Sequence, residues 1–205
     1  MLEKEMMNLL DKCYDGALKG VLPGEKNIME LAEDYLSKSN SKEKAIDDLI
    51  RNQILLCGTN GFVAGLGGLL VLPIAIPANV ASVIYVQLRM IAAIAYMNGY
   101  DVYSDQVRTI AYVCLTGSSA TNILKNVGIK IGEKVAVSAL KKIPAAILIK
   151  INQQVGFRLV TKFGQKGVVN IVKMVPLVGG VIGGGFDATT TGTIGKITKE
   201  VFSEK

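Results

Sequence analysis

The sequence predicts an all-α protein: a helical bundle with a Gly/Pro-rich apolar helical hairpin and a glycine-seamed C-terminal helix pair. Two observations predict this class. In the charged parts of the chain, apolar residues recur at three- and four-residue spacing, which is the periodicity of an amphipathic helix. In the uncharged parts, small residues lie four positions apart, which is typical of closely packed helices. The 205 residues suffice for one sizeable core.

The first fifty residues are predicted to form acidic amphipathic helices, since they carry 7 Lys and 11 Asp or Glu. The first helix has one apolar stripe, formed by Leu2, Met6, Leu9, Cys13 and Ala17. The tripeptide "LPG" at 22–24 ends this helix. A second helix is predicted over 27–37. Asn40 and Glu43 have the spacing of a capping box for a third.

The chain changes character at Arg51, and the 37 residues from Asn52 to Leu88 contain no formal charge. Roughly 20 apolar residues span a bilayer as a helix, so this run is long enough for a helical hairpin that turns at Pro73 and Pro77. Residues 51–205 are predicted to form one compact helical domain. Glycines four residues apart let helix backbones approach closely. The predicted packing positions are Gly61, Gly65, Gly179 and Gly183.

A basic block lies between the apolar runs. From Lys125 to Lys173 there are 10 Lys or Arg and one acidic residue, Glu133. Part of this block flanks an apolar stripe of Ile151, Val155, Leu159 and Phe163. Helices with an apolar stripe and a basic flank suit a membrane interface. The residues predicted to bind anionic lipid are Lys130, Lys134, Lys141, Lys150, Arg158 and Lys162.

The composition argues against several catalytic classes. The chain has no His, so Ser–His and Cys–His pairs are excluded and the commonest metal ligand is missing. Its three widely spaced cysteines form neither a disulfide framework nor a zinc site. Gly183, Gly185 and Ala188 keep the spacing of a dinucleotide-binding loop, but no second strand or acidic ribose ligand fits after them. No catalytic residue, metal or cofactor is predicted.

Two charges stand isolated in apolar surroundings. Arg89 lies within "VASVIYVQLRMIAAIAYM", and Asp187 is the only charge between Met174 and Gly195. Isolated charges in apolar helices usually pair with each other or line a polar pathway. We therefore hypothesise that Arg89 and Asp187 form a buried ion pair.

Two segments resemble the EcsC family. The first, "LPIAIPANVASVIYVQLRMIAAIAYMNGYD" at 72–101, is a proline turn that leads into a helix and precedes the Arg-containing helix "SDQVRTIAYVCLTG". The second, "VPLVGGVIGGGFDATTTGTIGKITKEVF", combines a proline, clustered glycines and a final helix. The resemblance covers the chain from about residue 40 to 203. Asn98 and Asn79 depart from it, because the family often has Tyr and an acidic residue there.

The resemblance implies a bacterial, mostly α-helical protein. The EcsC family is named for a gene that neighbours an ABC transporter, and the resemblance supplies no catalytic activity. The expected function is therefore non-enzymatic. This expectation rests on the missing His and on the lack of a complete catalytic motif in the sequence. The protein is expected to bind anionic lipid at the cytoplasmic side of the cell membrane, and its apolar hairpin to insert into or perturb the bilayer.

Other functions stay open. The alternative is a soluble cytoplasmic bundle that assists a transporter or another protein partner, with an apolar ligand cavity. A lipid hydrolase is a third interpretation, but the chain lacks His and a nucleophile elbow. Nucleic acid is not expected, because there is no recognition motif and aromatics are too sparse for a stacking platform. Whether the chain spans the membrane, lies on it or forms homo-oligomers also stays open.

Overall fold

The computed structural model describes residues 2–57, 78–129, 140–163 and 179–202. Within these ranges the chain forms eight α-helices and a short 3-10 helix, Gly117–Ser119, and no strand. The helices are α1 (Leu2–Lys19), α2 (Ile28–Ser37), α3 (Lys42–Cys57), α4 (Ala78–Met97), α5 (Asp105–Leu115), α6 (Ala120–Asn126), α7 (Ala145–Phe163) and α8 (Gly179–Phe202). The predicted all-α class is confirmed.

Helix α4 is the centre of the bundle and packs against α1, α2, α3, α5 and α8. Its side chains are buried nearly all round, as expected of a helix that is apolar on every face. Within the described ranges, Val80–Met97 is the one segment long and apolar enough to cross a membrane, with a mean hydropathy of 1.6. However, 83% of this segment is buried inside the protein. Its apolar character is therefore explained by its place in the core.

The acidic N-terminal helices cover one side of α4 with the stripe that the sequence predicts. Met6, Leu9, Cys13 and Ala17 are all buried in the common core. The charged residues between them face outward, so the acidic surplus of this region lies largely on the surface. These helices consequently share the hydrophobic core of the rest of the described chain.

Serine side chains cap the first turns of two helices. Helix α5 follows Ser104, whose Oγ accepts a hydrogen bond from the N–H of Val107 at 3.3 Å. Helix α3 follows Ser41, whose Oγ accepts from the N–H of Lys44 at 3.2 Å. The capping box predicted at Asn40 and Glu43 is therefore wrong by one residue. Serine and asparagine cap helices about equally well, so local sequence does not choose between adjacent candidates.

Helix α8 is one continuous helix of 24 residues that lies against α3 and α4. A Cβ atom at Gly195 would lie 2.8 Å from Ile50 Cγ2, whereas one at Gly192 would lie 3.4 Å from Ile54 Cδ1. Among the described side chains, the close α3–α8 approach therefore depends on Gly195.

The glycine positions predicted for helix packing lie elsewhere. Gly179 and Gly183 belong to the first part of α8, whose side-chain surroundings are outside the described structure. Gly61 and Gly65 fall outside the described residues, as do residues 164–178. Their predicted packing roles stay predictions.

Gly195→Ala is expected to lower the free energy of unfolding by about 1–3 kcal/mol, because the new methyl group would overlap the branched side chain of Ile50. Gly192→Ala is the matched control. It has room for a methyl group and is expected to be neutral or to gain up to about 1 kcal/mol, since alanine favours the helix. Urea unfolding followed by far-UV circular dichroism measures both. If both variants gain the same free energy of unfolding, then α3 and α8 do not approach this closely at Gly195.

Candidate functional site

Helix α7 follows Pro144 and carries three cations and no acidic residue. Its inner face packs against α1 and α5. Ile151, Val155 and Leu159 are fully buried on that face. The apolar stripe that the sequence places beside the basic residues is therefore largely a core-packing stripe, and it does not supply the apolar part of a membrane interface.

Other apolar side chains project from α7 into solvent. Ile149 and Phe157 are each 59% exposed. With 100° per residue, Phe157 lies about 80° around the helix from Ile149 and about 20° from Lys150. Large apolar and basic side chains thus share one surface, which we call the α7 outer face. It consists of Ile149, Lys150, Gln153 and Phe157, all of them exposed. The exposed Arg158 lies at its edge, about 100° around the helix from Phe157 and on the opposite side of the helix from Ile149.

The charges around this face are asymmetric. Lys141 and Lys142 are exposed immediately before α7 and extend its basic end. At the other edge of the face, Ile149 and Gln153 line a groove together with Glu3, Lys4 and Asp11 of α1. The acidic residues near this face therefore lie at the Ile149 edge, whereas Lys150 and Arg158 lie farther around the helix.

The predicted lipid-binding residues divide into three groups. Lys141, Lys150 and Arg158 are exposed, whereas Lys162 is half-buried with its ammonium 5.0 Å from the centroid of the Phe163 ring. Lys130 and Lys134 lie outside the described residues. The structure brings Arg158 and Lys162 together at the border of one pocket.

This pocket has a volume of about 400 Å³ and lies between the 116–119 turn, α7 and α8. We call it the α7–α8 pocket. Arg158 and Lys162 supply its cations, and the 116–119 turn together with Thr189, Thr190 and Thr193 of α8 supplies hydroxyl groups. Gly117 permits the turn, since its φ of 64° is strained for residues with a side chain. None of the described residues that line the pocket is acidic.

Several hydroxyl groups of the pocket already donate hydrogen bonds. Those of Thr116, Thr161 and Thr193 donate to backbone carbonyls three or four residues back, at 2.6, 2.8 and 3.0 Å. Those of Ser118, Ser119 and Thr190 make no hydrogen bond within the described part of the chain. These three hydroxyls are available to donate to a ligand.

Sequence reasoning missed the hydroxyl part of this site. Ser118 and Ser119 lie in "TGSS", and Thr190 lies in "ATTTG" about seventy residues later. Short uncharged hydroxyl side chains carry neither a charge pattern nor a helical periodicity. Only the packing of α8 against the 116–119 turn brings the two segments together.

Arg89 lies far from solvent, at 4% exposure, and is not part of this pocket. Its Nε donates to Glu25 Oε1 at 3.2 Å, its Nη1 donates to the Ala17 carbonyl at 2.8 Å, and its Nη2 donates to the Lys26 carbonyl. The structure thus pairs Arg89 with Glu25. The side chain of Asp187 lies outside the described part of α8, so the hypothesised Arg89–Asp187 contact stays a prediction.

Burial makes two of the cysteine thiols unreactive. Desolvation raises the pKa of Cys13 and that of Cys114 to about 12, so both stay protonated at neutral pH. Neither can act as a thiolate nucleophile or metal ligand in this environment. Among the described residues, no three Cys, Asp or Glu side chains converge on a metal site.

The model of the EcsC protein family matches residues 2–204. The chain belongs to the EcsC protein family. The match includes α7, the α7–α8 pocket and the acidic N-terminal helices of this EcsC-family chain. No curated protein and no solved structure matches the chain.

Proposed function

We propose that this EcsC-family protein is a non-enzymatic peripheral protein that binds anionic lipid at the cytoplasmic surface of the bacterial membrane. The α7 outer face is the contact surface. The observation that carries the proposal is the exposure of Ile149 and Phe157 beside Lys150, with Arg158 at the edge of the same surface, on a helix without acidic residues. Apolar and basic side chains on one face suit the boundary between headgroups and acyl chains.

The two kinds of side chain contribute by different mechanisms. Each basic residue near an anionic surface contributes about 1 kcal/mol, and this contribution falls as salt is added. Burial of a large apolar side chain contributes roughly 1.5–3 kcal/mol and is insensitive to screening. The combination predicts reversible binding that is weakened, but not abolished, by salt.

The burial of α4 favours docking over spanning, because the described helix that is long enough to cross a bilayer already fills the protein core. Insertion after docking would use residues 58–77 of the apolar run, because the flanking parts of the run belong to α3 and to the buried α4. Residues 58–77 lie outside the described structure. The accessory function for a transporter would use the same α7 outer face with a protein partner. Binding to protein-free vesicles distinguishes the two, and leakage of a trapped dye tests for bilayer perturbation.

The Ile149→Gln, Phe157→Gln double variant is expected to bind phosphatidylglycerol vesicles at least about tenfold more weakly than the unaltered protein. The physical reason is that burial of each of these side chains in the bilayer stabilises the complex by roughly 1.5–3 kcal/mol, and about 1.4 kcal/mol is a factor of ten in affinity. Lys150→Gln is expected to weaken binding about fivefold and to reduce its salt dependence. Co-sedimentation measures both.

Met29→Gln is the matched control, because Met29 is a 39% exposed apolar residue on the acidic helix α2. It should bind vesicles like the unaltered protein. The proposal fails if the unaltered protein ignores anionic vesicles, or if all these variants bind them equally.

A further inference from the structure

We propose that the α7–α8 pocket binds the phosphate group of a small phosphorylated polyol, presented by a lipid headgroup or free in solution. In its lipid-bound form this inference rests on the proposed function. In its soluble form it stands alone.

The charge of the pocket selects an anion. Arg158 and Lys162 border it, and no described lining residue is acidic. Arg158 is exposed and forms no ion pair with a described residue, so its guanidinium is free to engage a ligand. A guanidinium binds two phosphate oxygens at once through parallel N–H donors, while an ammonium acts as a second point charge. A phosphate ester, with about one to two negative charges, matches two cations.

The hydroxyl groups that line the pocket favour a phosphate ester of a polyol. Ser118, Ser119 and Thr190 offer donors that the described chain leaves unused. The O–H groups of Thr161 and Thr193 already donate to helical carbonyls, but their oxygens can still accept from a ligand hydroxyl. A surface with both donors and acceptors complements a polyol rather than an acyl chain. The volume of about 400 Å³ lies within the range of small-molecule pockets.

The position of Arg158 links the pocket to the membrane. Arg158 lies between the two, at the edge of the α7 outer face and in the lining of the pocket. A protein docked through Lys150 and Phe157 would therefore bring the edge of the pocket to the level of the headgroups. The pocket would then add headgroup selectivity to an otherwise nonspecific electrostatic contact.

The soluble form is tested by titrating the full-length protein with glycerol 3-phosphate and following amide chemical shifts by NMR. Arg158→Gln should weaken binding about tenfold or more, because the variant cannot form the charge-assisted hydrogen bonds to phosphate. Lys196→Gln is the matched control. It removes an exposed cation of α8 that lies outside the pocket, and it should leave glycerol 3-phosphate binding unchanged.

The lipid form is tested by comparing vesicles of phosphatidylglycerol with vesicles of phosphatidylserine at equal surface charge. The unaltered protein should prefer phosphatidylglycerol, and the Ser118→Ala, Thr190→Val double variant should lose that preference while still binding both. Glycerol 3-phosphate binding without a lipid preference would support the pocket with a free ligand.

Two results overturn the inference. One is that the unaltered protein neither binds glycerol 3-phosphate nor distinguishes the two lipids. The other is that both properties persist in the Ser118→Ala, Thr190→Val and Arg158→Gln variants. Failure of the proposed function has a different signature, namely no vesicle binding at all while glycerol 3-phosphate still binds in the pocket.

Discussion

Arg89→Met is expected to lower the free energy of unfolding by about 3–5 kcal/mol, which is the usual cost of removing one partner of a buried ion pair. The side chain of Arg89 is 5% exposed and that of Glu25 is 14% exposed. Methionine fills similar space but leaves the Glu25 carboxylate without its cation. It also leaves the carbonyls of Ala17 and Lys26 without the donors that satisfy them.

The loss would extend beyond one ion pair because Glu25 organises the connection between α1 and α2. Its Oε2 accepts from the N–H groups of Val21 and Leu22, at 2.9 and 3.1 Å, and from the hydroxyl of Tyr85 at 2.7 Å. Arg89 and Tyr85 both belong to α4. The central helix thus holds the α1–α2 connection through the Glu25 carboxylate and through the direct hydrogen bonds from Arg89 to the carbonyls of Ala17 and Lys26.

Urea unfolding of a small set of variants tests this network. Arg51→Met is the matched control, since its side chain is 71% exposed and its ion pair with Asp48 should contribute at most about 0.5 kcal/mol. Adding Glu25→Gln to Arg89→Met should recover part of the loss, because it neutralises the orphaned carboxylate. If Asp187→Asn, rather than Glu25→Gln, recovers stability in the Arg89→Met background, then Asp187 is the partner of Arg89, as the sequence predicts. A loss no larger than that of Arg51→Met would contradict the burial of the pair.

Sequence reasoning could not find Glu25 as the partner of Arg89. Glu25 lies next to Lys26 in a charged stretch, where a solvated surface position is the ordinary expectation. Its burial results from packing of the 20–27 connection against α4, which no local pattern records. By contrast, isolation within an apolar run made Arg89 itself conspicuous.

Periodicity predicted helices well but not the orientation of each helix in the bundle. The α1 stripe of Met6, Leu9 and Cys13 was predictable because only one face of α1 is apolar. Helix α7 has apolar residues on both faces. Its inner stripe packs in the core, while Ile149 and Phe157 remain outside. The sequence therefore indicates an interfacial helix without identifying which apolar residues would meet the lipid.

Phe202→Ala is expected to cost about 3–5 kcal/mol of stability, because it deletes a fully buried ring and leaves a cavity that the surroundings only partly fill. The ring of Phe202 lies edge-on to that of Tyr100, with centroids 4.9 Å apart and an interplanar angle of 73°. Such aromatic pairs add stabilisation beyond the area they bury. This contact fixes the end of α8 to the segment that follows α4.

Phe157→Ala is the matched control, since the same ring is deleted from a side chain that is 59% exposed. It should change the free energy of unfolding by no more than about 0.5 kcal/mol. The two variants should differ in the opposite sense in vesicle binding: Phe157→Ala should bind weakly, whereas Phe202→Ala, assayed under conditions where it is folded, should bind like the unaltered protein. Equal vesicle binding by the two folded variants would remove Phe157 from the membrane contact. Equal losses of stability would instead mean that the outer face of α7 is buried against another part of the chain.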